Sequence, residues 1–99
     1  MNLNGISIVI ATKGRVKLLG ELLESVQVAR NNFDGPTEVL LIDDSNENDV
    51  KEIEKFCIKY DAKRIYYSPS VAEKRNVGAR NAQYDVKDKV YTRDVFGKD

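Results

Sequence analysis

Apolar and polar residues follow one another along this chain in blocks that predict strands and helices in turn. A continuous, β-branched apolar run over residues 6–11 is typical of a strand covered on both faces, as in a parallel sheet. After Gly14, apolar residues recur at helical spacing and predict an amphipathic helix from Val16 to about Arg30. A loop rich in Asn, Asp, Gly and Pro follows, and residues 38–42 predict a second buried strand.

The same alternation continues to about residue 85. After the second strand, apolar residues at helical spacing predict a second helix with Asp49 as its N-cap. Residues 63–67 predict a third, more exposed strand, and residues 71–83 predict a third helix with a face of small residues. Strands and helices in strict alternation predict an α/β protein with a mainly parallel sheet, so residues 1–85 are expected to form one βαβαβα unit.

Residues 86–99 fit this alternation poorly. Strand-forming side chains occur at Val86, Val90 and Tyr91. Residues 87–89, however, are all charged, whereas a central strand is apolar. We therefore expect an edge strand or a divergent tail in this part of the chain.

Composition limits the chemistry that the chain can carry. Hydrophobic residues make up 41% and charged residues 32% of the 99 residues, which suits one soluble globular domain. Sixteen basic residues balance sixteen acidic ones, and no apolar run is long enough for a signal or a membrane segment. We therefore expect a cytoplasmic protein that does not bind nucleic acid. The single Cys57 excludes a disulfide within the chain and a cysteine-built zinc site. The absence of histidine removes the commonest general base and the commonest metal ligand.

Polar residues follow the predicted strands at the ends where open α/β sheets bind ligands. Residues 12–15 (the first turn) follow the first strand, residues 43–45 (the second turn) follow the second, and residues 74–76 lie near the start of the third helix. Right-handed crossovers make the first two strands neighbours. The first and second turns are therefore expected to share one crevice.

The residues of this crevice suit a nucleotide. The Asp44 carboxylate can accept a hydrogen bond from a base N–H or a ribose hydroxyl, and Thr12 offers a hydroxyl to a base edge. The guanidinium of Arg15 or Arg75 can form a bidentate pair of hydrogen bonds with a diphosphate. Each residue also has a simpler explanation, since Asp43 and Asp44 can cap a turn and the two arginines can be solvated helix charges.

Three segments of the sequence resemble the family 2 glycosyltransferases. SIVIATKGR resembles the opening strand of that family and its polar turn, and EVLLIDDSNEND resembles the second strand and its acidic turn. EKRNVGARNAQYD resembles the family's Arg-Asn-x-Gly helix, with the matching positions at Arg75, Asn76, Gly78, Ala82 and Asp85. The three segments occur in the family's order within about the first 85 residues.

The resemblance implies a three-layer, Rossmann-like (GT-A-like) half domain with strand order 3-2-1 and a poor fourth strand beside the first. It implies binding of a nucleotide-diphospho-sugar, UDP in type, for glycosyl transfer to an acceptor that the sequence does not identify. Thr12 and Asp44 would hold the base, with Asp43 beside them either as a further contact or as a turn cap. Arg15 and Arg75 would lie near the base or the diphosphate.

The resemblance also implies a divalent cation, Mg²⁺ or Mn²⁺, for which this sequence shows no clear site. In the family, the fourth strand ends in an acidic triplet that holds the metal, and counting from Asp85 places that triplet at residues 91–93. Only Asp94 lies nearby. The acceptor-binding half with its general base has no counterpart in these residues, so we expect a truncated domain that needs other parts for turnover.

Two other functions stay open. The chain can be a non-catalytic nucleotide-binding module or an assembly subunit, which would bind nucleotide without hydrolysing it. VLLIDDSNEN also resembles the first strand of receiver domains in signalling. A receiver places a phospho-accepting Asp at the end of its third strand, whereas this third strand ends in Tyr67 and Ser68.

The poor fourth strand has a structural consequence. Without a good neighbour, the strand over residues 6–11 would present an exposed apolar edge, which is an aggregation hazard. We therefore expect residues 86–92 to cover that edge imperfectly, or a second copy of the chain to cover it in a homo-oligomer.

Overall fold

A computed structural model describes residues 5–67, 73, 76–77, 80–82 and 92–96 of the chain. Its elements are, in order, β1 (Ile6–Lys13), α1 (Val16–Asn31), β2 (Thr37–Asp43), α2 (Glu47–Tyr60), β3 (Ala62–Tyr66) and β4 (Thr92–Phe96). The strands form one sheet in the order β3-β2-β1-β4, and every neighbouring pair is parallel. The predicted α/β class and the order of the first three strands are therefore confirmed.

Both faces of the sheet are covered, which explains the continuous apolar runs of β1 and β2. On one face, Ile10 and Leu41 pack against Leu19 of α1 and Ile53 of α2 in a core whose members are almost fully buried. On the other face, the core consists of Val9, Leu40, Ile42 and Val77. Val77 is helical and falls in the predicted third helix, as do the other described residues in that stretch before Ala82.

The start of α2 differs from the prediction. The helix begins at Glu47 and its N-cap is Asn46, whose side chain accepts a hydrogen bond from the backbone N–H of Asp49 at 2.9 Å. The prediction that Asp49 is the cap is therefore wrong. Asn46 lies three residues earlier and satisfies the exposed N–H at the third helical position, where the negative charge of Asp49 also suits the helix dipole.

A buried arginine joins the elements at the amino end of the sheet. Arg30, whose side chain is 9% exposed, donates from Nε to the Thr37 hydroxyl at 2.7 Å and from its guanidinium to the Tyr60 carbonyl at 2.6 Å. It also forms an ion pair with the exposed Asp61 at 3.6 Å. Arg30 thus holds the last turns of both helices against the start of β2.

Strand β4 covers the carboxyl half of β1, from the pair Val9 and Thr92 to the pair Lys13 and Phe96. Of the predicted covering segment 86–92, only Thr92 lies in β4, and residues 83–91 lie outside the described part. β4 continues past the predicted segment through residues 93–96, which include the strand-favouring Val95 and Phe96.

The apolar edge that β1 would present without a neighbour is not exposed, because β4 pairs with β1 on that side. Residues 7–12 of β1 are all at most 5% exposed. A homo-oligomer through this edge stays a prediction, as does the division of the chain at residue 85. Within the part of the chain that the structure describes, every helix is too short or too polar to cross a lipid bilayer.

Candidate functional site

The first and second turns lie side by side at the carboxyl edge of the sheet. In the parallel register Thr12 of β1 is opposite Asp43 of β2. Beyond that pair, the backbone N–H of Asp44 donates to the Thr12 carbonyl at 3.2 Å, and the N–H of Gly14 donates to the Ser45 hydroxyl at 2.8 Å. The predicted juxtaposition of the two turns is therefore confirmed.

The first turn bends sharply from strand into helix. Gly14 and Arg15 both adopt left-handed backbone conformations, with φ of 66° and 50°. Glycine adopts this conformation readily, whereas for arginine it is unfavourable by about 1 kcal/mol. The carbonyl of Arg15 accepts a hydrogen bond from the N–H of Leu19 at 2.9 Å, and this is the first hydrogen bond of α1.

Asp43 is fully buried, and both of its carboxylate oxygens are bound within the protein. Oδ1 accepts from the Ser45 hydroxyl at 2.6 Å, and Oδ2 accepts from the Ser45 N–H at 3.1 Å and from Arg64 Nε at 2.9 Å. Such bonds compensate the cost of burying a carboxylate. They are the contacts of a turn-capping side chain, and a direct contact between Asp43 and a ligand stays a prediction.

Asp44, the next residue, has a different environment. It is half-buried, and its backbone is fixed by the bond to Thr12. In the part of the chain that the structure describes, its carboxylate makes no hydrogen bond or ion pair. Because water reaches this acceptor and no described side chain occupies it, it is the group of the crevice best placed to receive a ligand.

The structure places the remaining predicted residues differently from one another. Thr12 is fully buried beneath the two turns, so its hydroxyl faces the protein interior. Arg15 is exposed and its side chain makes no cap bond, so its guanidinium lies in solvent at the start of α1. Arg75 lies outside the described residues. The roles of all three toward a ligand stay predictions.

Arg64 is a residue of the site that the sequence pattern did not single out. It lies in β3, opposite Leu41 of β2. Because Asp43 is two residues after Leu41 in the same strand, Arg64 and Asp43 lie on the same face of the sheet. Its side chain is 18% exposed while the paired Asp43 side chain is 0% exposed. An arginine in a strand next to an acidic strand end is the signal that could have identified the pair. Ser45, two residues after Asp43, fits the side-chain turn that aspartate commonly forms.

Cys57 of α2 lies near this pair, and its setting argues against a chemical role. Burial raises the pKa of its thiol, an effect that the nearby Arg64 partly offsets. A thiol with a raised pKa is a poor nucleophile at neutral pH. Cys57 is partly buried and packs against the core of the α1 and α2 face.

The described residues do not form a site for the divalent cation that the family implies. Among them, no group of three acidic, His or Cys side chains is close enough to hold a metal ion, and the carboxylate of Asp43 is occupied by Ser45 and Arg64. Counting from Asp85 places the family's acidic triplet at residues 91–93. Thr92 and Arg93 lie at the start of β4, whose last described residue is Phe96, and not at its carboxyl end.

Comparison with known proteins agrees with this architecture. The family model described as Glycosyl transferase family 2 matches residues 7–87 of the 99. The matched range contains all of β1 except its first residue, together with β2, β3 and both turns of the crevice. No curated protein and no solved structure matches the chain.

Proposed function

We propose, since this chain belongs to glycosyl transferase family 2, that the crevice between its first and second turns binds the nucleotide of a nucleotide-diphospho-sugar of the UDP type. The donor would serve glycosyl transfer, the reaction for which the family is named. The role that we assign to the described residues is donor binding, and we assign no catalytic residue among them.

The contrast between Asp43 and Asp44 carries this proposal. Two neighbouring carboxylates lie at the end of β2. Ser45 and Arg64 bind both oxygens of Asp43, whereas the carboxylate of Asp44 has no described partner. A carboxylate without a partner at a crevice accepts hydrogen bonds and donates none. It therefore favours a ligand that presents N–H or O–H groups.

The chemistry of Asp44 selects among bases. Uracil presents a ring N–H at the position where cytosine presents a bare nitrogen, so a carboxylate attracts the first and repels the second. Guanine also presents a ring N–H and is the second candidate. A site whose carboxylate binds the N–H of one base discriminates against a base that lacks this N–H, because the carboxylate then loses that hydrogen bond.

The diphosphate is best matched by the start of α1. The positive end of the helix dipole lies there, and Lys13 and Arg15 are both exposed beside it. The first turn of α1 contains no acidic residue that would oppose an anion. Arg75, which the family motif adds on the third helix, is proposed as a further cation for the base or the diphosphate.

Isothermal titration of the 99-residue chain with UDP, CDP and GDP tests this proposal. We expect UDP to bind at least about tenfold more tightly than CDP. Replacing Asp44 by Asn removes a charge-assisted hydrogen bond of about 1.5–3 kcal/mol, so we expect UDP affinity to fall by about 10- to 100-fold. Asp34→Asn is the matched control, since it makes the same change at an exposed position of the loop before β2. If UDP fails to bind, or if both variants bind it equally, the proposal is wrong.

A second candidate function, a nucleotide-binding module without catalysis, is favoured by the lack of a metal-ligand group among the described residues. Glycosyl transfer requires a base at the acceptor and a cation at the leaving diphosphate. Hydrolysis of UDP-sugars in the presence of Mn²⁺ separates the two candidates. Turnover that Asp44→Asn abolishes would establish the enzyme, and tight binding without turnover would establish the module.

A further inference from the structure

We infer that Arg64 is a positioning residue for nucleotide binding, although it belongs to neither turn of the crevice. It acts through Asp43 and Ser45, which fasten the second turn to the first. This inference rests on the function proposed above.

The connection is a continuous series of three short contacts, which we call the relay. Arg64 Nε donates to Asp43 Oδ2 at 2.9 Å, the Ser45 hydroxyl donates to Asp43 Oδ1 at 2.6 Å, and the Gly14 N–H donates to the same hydroxyl at 2.8 Å. A hydroxyl has one proton to donate. Because Ser45 gives that proton to Asp43, its oxygen is oriented to accept from Gly14, and each contact fixes the next.

Arg64 supplies the charge on which the relay depends. The Asp43 side chain is fully buried, and the other groups that it contacts, the N–H and hydroxyl of Ser45, are neutral. Among the described residues, Arg64 is its one ion-pair partner. Without that partner the buried carboxylate would lack a compensating charge and would turn toward water, which moves the acceptor that holds the Ser45 hydroxyl.

The effect of such a change falls on the crevice. Ser45 would release the Gly14 N–H, and the first turn would lose its side-chain attachment to the second. The bond from Asp44 N–H to the Thr12 carbonyl joins the same two turns through the backbone and would remain. The carboxylate of Asp44 would no longer be held at a fixed distance from the start of α1, so one ligand would not meet both at once.

Arg30 provides a matched control within the same chain. Like Arg64, it is a half-buried arginine, and it joins two helices and a strand through side-chain and backbone contacts. It lies at the opposite, amino end of the sheet, where β2 begins. Loss of either arginine is expected to lower the stability of the fold, but only loss of Arg64 reaches the crevice.

The test measures UDP affinity by isothermal titration in Arg64→Gln, Arg64→Lys and Arg30→Gln, each in the full 99-residue chain. Titrations are made at a temperature where circular dichroism shows every variant to be folded. We expect Arg64→Gln to lower the affinity roughly tenfold, the scale of coupling between groups that do not touch. Arg64→Lys, which keeps the charge, should recover most of the loss, and Arg30→Gln should change the affinity by less than about twofold.

Amide hydrogen exchange measured by NMR tests the relay without any nucleotide. We expect the amides of Gly14 and Asp44 to exchange faster in Arg64→Gln than in wild type, and to be unchanged in Arg30→Gln. If Arg64→Gln does not fold, Arg64→Lys gives the same comparison, since its point charge lacks the planar fork and should loosen Gly14 to a smaller degree.

The outcomes separate the two claims. If wild-type protein does not bind UDP, the proposed function is wrong, and the exchange rates of Gly14 and Asp44 still decide whether Arg64 holds the turns. If wild-type protein binds UDP but Arg64→Gln binds it equally well, or Arg30→Gln loses as much affinity, the inference about Arg64 is overturned and the proposed function stands.

Discussion

The contacts of Ser45 predict that replacing it by alanine destabilises the protein by more than an ordinary surface substitution does. The change removes one hydroxyl and with it two hydrogen bonds, the donation to Asp43 Oδ1 at 2.6 Å and the acceptance from the Gly14 N–H at 2.8 Å. The Ser45 N–H and Arg64 still bind Oδ2 of Asp43, so the carboxylate keeps part of its support.

The magnitude follows from how well water can replace each lost bond. A hydrogen bond to a charged group contributes about 1.5–3 kcal/mol and one between neutral groups about 1 kcal/mol. Asp43 is fully buried, so its lost partner is hard to replace, whereas Gly14 is half-buried and water can reach it. We therefore expect Ser45→Ala to lower the free energy of unfolding by about 2–3 kcal/mol, with a fall in Tm of roughly 10–20 °C for a domain of this size.

Urea unfolding followed by circular dichroism measures this change, with the midpoint lowered and the slope unaltered. Ser25→Ala is the control, because the Ser25 hydroxyl is exposed and its described contact, with the Glu21 carbonyl, is long at 3.4 Å. Alanine is also the better helix former, so the control should be neutral or stabilised by up to about 0.5 kcal/mol. A Ser45→Ala protein as stable as the Ser25→Ala control would refute the reasoning.

Three further predictions follow from other parts of the fold. An added Cβ at Gly20 of α1 would lie 2.9 Å from Phe56 Cζ, so we expect Gly20→Ala to be near neutral in wild type. In a Phe56→Ala background it should stabilise by about 1 kcal/mol, and a double-mutant cycle of urea melts measures the difference. Asp61 ends α2 with φ of 52°, so Asp61→Gly should raise stability by about 0.5–1 kcal/mol, and Asp61→Ala should not. Burial raises the pKa of Cys57, so folding favours the protonated thiol. The stability that results is present below the unfolded pKa of about 8.5, and it is lost as the pH rises through the folded pKa. Above about pH 8.5 the free energy of unfolding should therefore fall more steeply in wild type than in Cys57→Ala, and equal slopes would contradict the prediction.

The first three strands could be predicted from sequence because their apolar runs are long enough to require cover on both faces. The pairing of the first and second turns also follows, since a right-handed crossover leaves little choice of neighbour for β1. The family resemblance correctly implied that a fourth strand lies beside β1, but the bounds of β4 could not be predicted from the apolar pattern. Its boundaries depend on the length of a connection, and the spacing borrowed from the family placed the strand end several residues too early.

The different roles of Asp43 and Asp44 could be predicted only in part. Neighbouring residues at a strand end tend to point to opposite faces, so the pattern indicates that the two carboxylates differ. Which of them is buried depends on Arg64, and that contact depends on the register between β2 and β3. Register is a property of the assembled sheet, and no residue spacing within one strand determines it.

The place of Arg64 in the sheet also has a consequence for the time that the crevice stays intact. Strand β3 is the outermost strand on its side and has β2 as its one neighbour in the described sheet. Outer strands open locally at a lower free energy than the centre of a domain. Each such opening would carry the guanidinium away from the acidic strand end, so brief fraying at the rim, rather than global unfolding, would limit how long an empty binding cleft keeps its shape.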